Sequence, residues 1–241
     1  MTEPFIQKEP LAALAASFGV TLDSTALDRF DLYARMLCDW NEKVNLTAIT
    51  APEEIVVKHF ADSLSLLQAA KIPQNAVLID VGTGAGFPGL ALKIARPDLR
   101  VTLLDSTKKK LMVLEEICSA LGLSAELLHL RAEEAGKQAA YREHFDVATA
   151  RAVANLRELA EYCLPFVRVG GRFLAMKSAK TDAELEEAKA AIRLFGGKTK
   201  AVHTVALSEA GERTVVEIEK VSPTPAPYPR PSAKIARSPL K

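Results

Sequence analysis

Four glycines fall within residues 80–89, which read DVGTGAGFPG and follow directly on the apolar run 76–79. Glycine allows the backbone to turn sharply and to approach a ligand closely, and proline suits the first turn of a helix. We call residues 80–89 the glycine loop. The pattern predicts a strand, then a loop that holds a nucleotide, then a helix that begins at Pro88.

Short apolar runs alternate with longer helical patterns after this loop, as is typical of a parallel sheet covered on both faces. The predicted strands are 76–81, 100–105, 125–130, 145–150 and 171–177, and the predicted helices are 88–96, 108–121, 132–140, 155–168 and 181–195. Two further apolar stretches, His203–Ser208 and Arg213–Lys220, bracket a turn and predict a hairpin. We therefore expect an α/β protein with a mostly parallel sheet and an antiparallel edge strand.

The chain divides into three expected regions. Residues 1–70 have helical spacing throughout and predict an N-terminal helical section. Residues 71–220 carry the alternating pattern of a cofactor-binding domain. The tail, 221–241, is rich in proline and basic residues and contains no acid, which predicts a flexible or surface-draped end, with a nucleic-acid contact as the alternative.

Composition limits the partners and the compartment. The formal net charge is +1 over 241 residues, so attraction to a nucleic acid would need a local basic patch. Three widely spaced cysteines predict free thiols rather than a zinc site, and no metal is expected. The odd cysteine count and the lack of a secretory segment favour a reducing cytoplasm, and no stretch is long and apolar enough to span a membrane.

Two cofactors compete for the glycine loop. Gly84, Gly86 and Gly89 with Asp105 match a dinucleotide fingerprint, so an NAD-dependent oxidoreductase is one interpretation. Three features favour S-adenosylmethionine. The carboxylate of Asp80 opposes a pyrophosphate and favours a sulfonium; none of the four tyrosines is followed four residues later by lysine; and the sheet is expected to close with an antiparallel pair.

The predicted contacts follow from the rule that open α/β sheets bind ligands at the carboxyl ends of their strands. Backbone approach is expected at Gly82, Gly84 and Gly86, ribose binding at Asp105 with Ser106 and Thr107, adenine contact at Ala132 and Glu133, and a cofactor contact at Phe87. Structural alternatives are that Asp105 caps the next helix and that Glu133 is a first-turn acid.

Two motifs that the chain lacks narrow the range of possible acceptors of the methyl group. The segment after the fourth strand lacks the Asn/Asp-Pro-Pro-aromatic signature of exocyclic-amine methyltransferases, and the chain has no Pro-Cys or Thr-Cys pair for covalent attack on a pyrimidine. Methylation of a ring nitrogen requires neither motif, so a ring nitrogen remains a possible acceptor. Small molecules and proteins remain open as acceptors.

Several segments of the chain closely resemble one family, the bacterial small-subunit rRNA methyltransferases RsmG, also called GidB. The resemblance rests on 40–49, 56–64, the glycine loop, 131–133, 150–153, 176–177, 228–230 and 239–240. It implies a class I, Rossmann-like methyltransferase fold, S-adenosylmethionine as cofactor, and transfer to N7 of one guanine in 16S rRNA or the small subunit. It places cofactor contacts on Gly82, Phe87, Ala132, Glu133 and Arg151.

Two cations are expected to position the substrate. Arg151 lies at the exit of the fourth strand and could orient a base or phosphate, or could pair with an acid such as Glu158. Lys177 ends the fifth strand and could contact the RNA backbone or be an ordinary surface lysine. Lys108–Lys110, with Arg230, Lys234 and Arg237, could form a phosphate-binding face or a solvated one.

His59 is expected to be a packing residue, because N7 of a neutral guanine has no proton for a base to remove. We expect a monomer. A noncatalytic RNA-binding protein on a methyltransferase scaffold remains the alternative from a different class.

Overall fold

One seven-stranded sheet organises the protein, in a computed structural model that describes residues 3–151, 153–178, 181–207 and 211–240. The strands are β1 (Val77–Val81), β2 (Arg100–Asp105), β3 (Glu126–His129), β4 (Phe145–Arg151), β5 (Val167–Ser178), β6 (Gly197–Ala206) and β7 (Glu212–Lys220). Their order across the sheet is β3-β2-β1-β4-β5-β7-β6. All pairings are parallel except those of β7, which runs antiparallel to both β5 and β6. The predicted α/β class and antiparallel edge pairing are confirmed.

Helices cover both faces of the sheet. They are α1 (Lys8–Ser17), α2 (Ser24–Asn41), α3 (Pro52–Ile55), α4 (Asp62–Ala69), α5 (Gly89–Ala95), α6 (Lys108–Leu121), α7 (Ala132–Ala135), α8 (Leu156–Cys163), α9 (Asp182–Leu194) and α10 (Ser232–Arg237). A π-helical turn, Val56–Ala61, joins α3 to α4, and a 3-10 turn, Leu164–Phe166, follows α8. Within these ranges no helix is long and apolar enough to cross a membrane.

The N-terminal helices share a hydrophobic core with one face of the sheet. Four aromatic side chains join them to the glycine loop: Phe30 and Tyr33 of α2 pack on Phe60, and Tyr33 stacks on Phe87 with ring centroids 5.2 Å apart. Burying an aromatic ring of this kind contributes roughly 1.5–3 kcal/mol. Helix α2 and the π-helical turn therefore help to fix the loop, and the predicted boundaries at 70 and 220 remain predictions.

Four predicted elements have limits that are wrong by at least four residues, and one of them is β5, which begins four residues earlier than predicted. The helix predicted at 155–168 ends at Cys163, because Pro165 disfavours helical backbone at the residue before it, and β5 begins at Val167. The helix predicted at 132–140 stops at Ala135, before Gly136. Strand β6 begins six residues earlier than predicted, since an edge strand alternates exposed polar residues with half-buried ones and shows no continuous apolar run.

The C-terminal tail is anchored to the surface. Arg142 donates hydrogen bonds to the carbonyl oxygens of Thr224 and Tyr228 at 2.6 and 2.8 Å. Arg230 forms an ion pair with Glu161, whose side chain is only 1% exposed. For residues 221–240 the structure shows the surface-draped arrangement, and a nucleic-acid contact of the tail remains a prediction.

Candidate cofactor cleft

A cleft of about 570 Å³ opens where β1, β2, β3 and β4 end. Nine of the predicted site residues line it: Gly82, Gly84, Phe87, Asp105, Ser106, Thr107, Ala132, Glu133 and Arg151. This size suits a small-molecule ligand. The two predicted residues that do not line it are Gly86 and Lys177. Among the described residues, no group of three or more potential ligands is arranged to hold a metal ion.

Asp80 braces the glycine loop from beneath. Its carboxylate is fully buried and accepts hydrogen bonds from the Thr83 hydroxyl at 2.7 Å, the Gly89 amide at 2.9 Å and the Thr149 hydroxyl at 3.2 Å. Burial raises the pKa of Asp80 to about 6, although these hydrogen bonds act in the opposite direction. Asp80 does not line the cleft, so it would not contact a ligand there directly, and its electrostatic preference for a cationic ligand stays a prediction.

Gly86 packs the loop against the N-terminal helices. Its φ is +98°, and a Cβ there would overlap the hydroxyl of Tyr33. That hydroxyl donates to the carbonyl of Ala85, so α2 holds the loop directly. The predicted approach of Gly86 to a ligand is therefore replaced by an approach to Tyr33, a residue whose role the sequence did not reveal.

Asp105 ends β2 and stands in the wall of the cleft. One carboxylate oxygen accepts from the Gly84 amide at 3.0 Å and the other from the Thr107 amide at 2.8 Å. A carboxylate has about four lone-pair sites, so two remain for further donors. The alternative that Asp105 caps the next helix does not hold, because α6 begins at Lys108 and Thr107 is its N-cap residue.

The far end of the cleft is built from three separate elements. Ala132 and Glu133 come from the first turn of α7. Glu133 is therefore a first-turn acid, as one of the two predictions for it stated, and it also lines the cleft. Tyr162 of α8 and Ser232 of α10 line the cleft beside them. Neither residue was predicted from the sequence, because no local pattern indicates that the tail folds back to this place.

Arg151 forms the centre of a polar network at the other end. Its guanidinium donates to Asp62 at 2.8 Å, to the Lys58 carbonyl at 3.1 Å and to Nδ1 of His59 at 3.1 Å. It also lies 4.9 Å from the centroid of the Phe87 ring, within cation–π range. The alternative that Arg151 pairs with an acid is confirmed, but that acid is Asp62 and not Glu158.

Asp62 joins Arg151 to a second arginine. Its side chain is 1% exposed, and its other oxygen accepts from Nε of Arg213. Neither Asp62 nor Arg213 was predicted as a site residue from the sequence. A usable signal was present, because His59 and Asp62 stand three residues apart on an otherwise apolar helical face. The π-helical turn carries His59 and leads into Asp62, and such turns are frequent at functional sites.

His59 is held neutral in this network. Burial lowers its pKa to about 3, and the nearby charge of Arg151 acts in the same direction. A guanidinium can only donate, so Nδ1 of His59 accepts from Arg151 and Nε2 must carry the proton. That proton goes to the Thr47 hydroxyl oxygen, 2.8 Å away. The ring stacks on Phe87 at a centroid distance of 4.4 Å, consistent with the predicted packing role.

We expect His59→Gln to reduce the loss of stability in acid. The unfolded chain binds a proton at His59 below pH 6.5, whereas the folded protein does so only near pH 3. The contribution of neutral His59 to the free energy of unfolding is therefore complete above pH 6.5 and is lost as the pH falls. The expected loss between pH 6.5 and pH 4 is about 3 kcal/mol. Urea denaturation at pH 7 and pH 4 measures this difference between wild type and variant. His144→Gln, at an exposed histidine, should behave as wild type does; equal acid sensitivity of the His59 variant would contradict the assignment.

The predicted basic residues divide between the cleft and its surroundings. Lys110 lines the cleft, whereas Lys108 and Lys109 are exposed. The ammonium of Lys177 lies 2.6 Å from Glu184 and 3.0 Å from the Ala154 carbonyl, so the structure pairs it outside the cleft.

The strand order, the antiparallel β7 and a cleft at the ends of β1 to β4 define a class I methyltransferase fold. TrmN from Thermus thermophilus has this fold and superimposes with a TM-score of 0.52 at 20% identity, covering 69% of this chain and 53% of that one. A Bacillus halodurans structure described as a methyltransferase gives 0.51 at 17% identity, covering 67% and 100%. At these identities the likeness establishes the fold alone.

The sequence comparisons are more specific. The family model GidB, described as rRNA small subunit methyltransferase G, matches residues 26–216. Proteins called ribosomal RNA small subunit methyltransferase G from Brevibacillus brevis and an Exiguobacterium species are 45% and 49% identical to this chain. The first alignment covers 97% of this chain and 99% of the relative, and the second covers 92% and 94%. The chain belongs to the GidB family.

Proposed function

We propose that this protein transfers a methyl group from S-adenosylmethionine to N7 of one guanine in 16S rRNA of the small ribosomal subunit. The observation that carries the proposal is the cleft itself, because nine of the predicted site residues line one cavity at the carboxyl ends of four strands. Membership of the GidB family supports rRNA as the substrate. The choice of N7 rests on the family resemblance stated above.

The cleft residues fit the cofactor in chemical character. Asp105 keeps two lone-pair sites free and would accept from the ribose hydroxyls. Ala132 and Glu133 would border the adenine, and the backbone of Gly82 and Gly84 would approach the amino-acid portion. When bound, the cofactor supplies a methyl group on a sulfonium, whose sulfur takes back the bonding electron pair on transfer.

The protein's own residues would mainly position the reactants. Methyl transfer is an in-line displacement, so orientation of the acceptor supplies much of the rate. Arg151 is held by Asp62, the Lys58 carbonyl and His59 and would help to place the base. N7 presents a lone pair and no proton, so the neutral, buried His59 need not act as a base. A substrate contact by Lys177 would have to compete with Glu184.

The decisive test uses small subunits from cells in which this gene is deleted. Mass spectrometry of their 16S rRNA should show the loss of one 7-methylguanosine, and purified protein with S-adenosylmethionine should restore it. Unchanged rRNA would contradict the proposal. Binding to the subunit without product would favour the noncatalytic RNA-binding alternative. A thermal shift with NADH but not with S-adenosylhomocysteine would favour an oxidoreductase.

We expect Asp105→Ala to weaken binding of S-adenosylhomocysteine by roughly 10- to 100-fold, because a hydrogen bond to a charged group contributes about 1.5–3 kcal/mol. Isothermal titration calorimetry measures the affinity, and circular dichroism checks that the fold is kept. Asp182→Ala is the matched control, since Asp182 opens α9 and does not line the cleft. Equal affinity of the Asp105 variant and wild type would remove the ribose assignment.

A further inference from the structure

The hydroxyl of Thr47 occupies a fixed position in the wall of the cleft. The side-chain oxygen of Asn41 accepts from the amides of Leu46 and Thr47 at 2.8 and 2.9 Å, which fixes the backbone there. The Thr47 oxygen then accepts from His59 Nε2 at 2.8 Å and from the Ile49 amide at 3.0 Å. Thr47 is half-buried and lines the cleft.

These contacts decide which way the Thr47 proton can point. A hydroxyl has two lone pairs and one proton. Both lone pairs are in use, because Nδ1 of His59 accepts from Arg151 and so leaves Nε2 as the donor to Thr47. In the described part of the chain, no acceptor receives the Thr47 proton. Because Thr47 lines the cleft, its hydroxyl proton is left to donate to a ligand bound there.

The position of Thr47 in the cleft separates it from the proposed adenosine contacts. Those contacts come from the ends of β2 and β3 and from α7. Thr47 is instead joined through His59 to Arg151, at the end of β4 on the opposite side of β1. The donor thus lies at the end of the cleft left for the methyl group and its acceptor.

We propose that the Thr47 hydroxyl donates a hydrogen bond to O6 of the target guanine and so makes the enzyme select guanine over adenine. This inference rests on the proposed function. The edge of guanine that carries N7 also carries O6, an acceptor, whereas adenine has an amino donor there. An arginine fork across both atoms would occupy the N7 lone pair, which must face the methyl group. A single donor beside N7 reads the base and leaves that lone pair free.

The test replaces the target guanine in small subunits reconstituted with chemically ligated 16S rRNA. 2-Aminopurine keeps N7 but lacks O6, and inosine keeps both atoms and serves as the control base. Single-turnover methylation by wild type should be about tenfold slower on 2-aminopurine than on guanine, as expected for one lost hydrogen bond. Thr47→Val should methylate both bases at similar rates, and Thr47→Ser should restore the tenfold preference.

A merely structural role of Thr47 would slow every substrate and leave the ratio of the two rates unchanged. Thr47→Ala is measured in parallel, so that poor folding of one variant does not decide the result. The inference is overturned if wild type shows no preference, if the valine and alanine variants keep it, or if the only change is weaker binding of S-adenosylhomocysteine. Failure of wild type on unsubstituted guanine would instead refute the proposed function itself.

Discussion

Replacing Asp62 by alanine is expected to lower the free energy of unfolding by about 3–5 kcal/mol. The carboxylate is 1% exposed and lies between the guanidinium groups of Arg151 and Arg213. Without it, two like charges that are 15% and 24% exposed lie close together with no other carboxylate partner among the described residues. Removing one member of a buried ion pair is far more costly than removing an exposed one, and urea denaturation at pH 7 measures the difference.

The matched control is Asp28→Asn. Asp28 pairs with Lys8 at the surface and its side chain is 69% exposed, so its loss should leave the urea midpoint unchanged within error. A second variant, Asp62→Ala with Arg213→Met, also removes one of the two unpaired guanidinium groups. It should recover part of the lost free energy of unfolding. An Asp62 variant as stable as the control would show that the network does not hold Arg151 in place.

Glu161→Ala is expected to release the C-terminal tail and to cost a similar amount, about 3–5 kcal/mol. The Glu161 carboxylate is 1% exposed and accepts from the backbone amide of Arg230 at 2.8 Å and from its Nε and Nη2 at 2.9 and 2.7 Å. Loss of these charge-assisted hydrogen bonds leaves the Arg230 guanidinium, which is only 12% exposed, without its carboxylate partner. Urea denaturation gives the energy, and limited proteolysis near residue 230 reports the release.

Glu187→Ala provides the comparison for this variant. Glu187 pairs with Arg157 at 3.2 Å, but its side chain is 60% exposed, so its removal should change neither stability nor cleavage of the tail. Because Ser232 lines the cleft, the Glu161 variant should also bind S-adenosylhomocysteine more weakly than the control. Equal proteolysis of the two variants would show that the ion pair does not anchor the tail.

Local patterns predicted the parts of the site that depend on neighbouring residues. The glycine loop follows an apolar strand and precedes a helix, and Asp105 and Glu133 follow the next two strands along the chain. Parallel strands bring their carboxyl ends to one edge of a sheet, so sequence order was enough to place these residues together. The motif did not reveal that Asp80 points beneath the loop, because alternation along a strand does not say which face is open.

Long-range pairing explains what the sequence did not predict. Asp62 meets Arg151 across 89 residues and Arg213 across 151, and no periodicity links positions so far apart. The π-helical turn turns His59 and Asp62 towards Arg151, whereas apolar spacing predicts an ordinary helix there. Edge strand β6 was predicted too short because its half-buried residues are mostly polar or basic.

Two residues that line the cleft come from distant parts of the chain, Thr47 near the beginning and Ser232 near the end. During synthesis on the ribosome, the sheet and the glycine loop emerge well before the segment that carries Ser232, and structure can form as the chain emerges. In a nascent chain, the sheet can therefore form before all the residues that line the cleft have been synthesised. A premature stop codon after β7 would leave every strand of the sheet encoded but would remove Ser232 from the wall of the cleft and the tail's ion pair with Glu161.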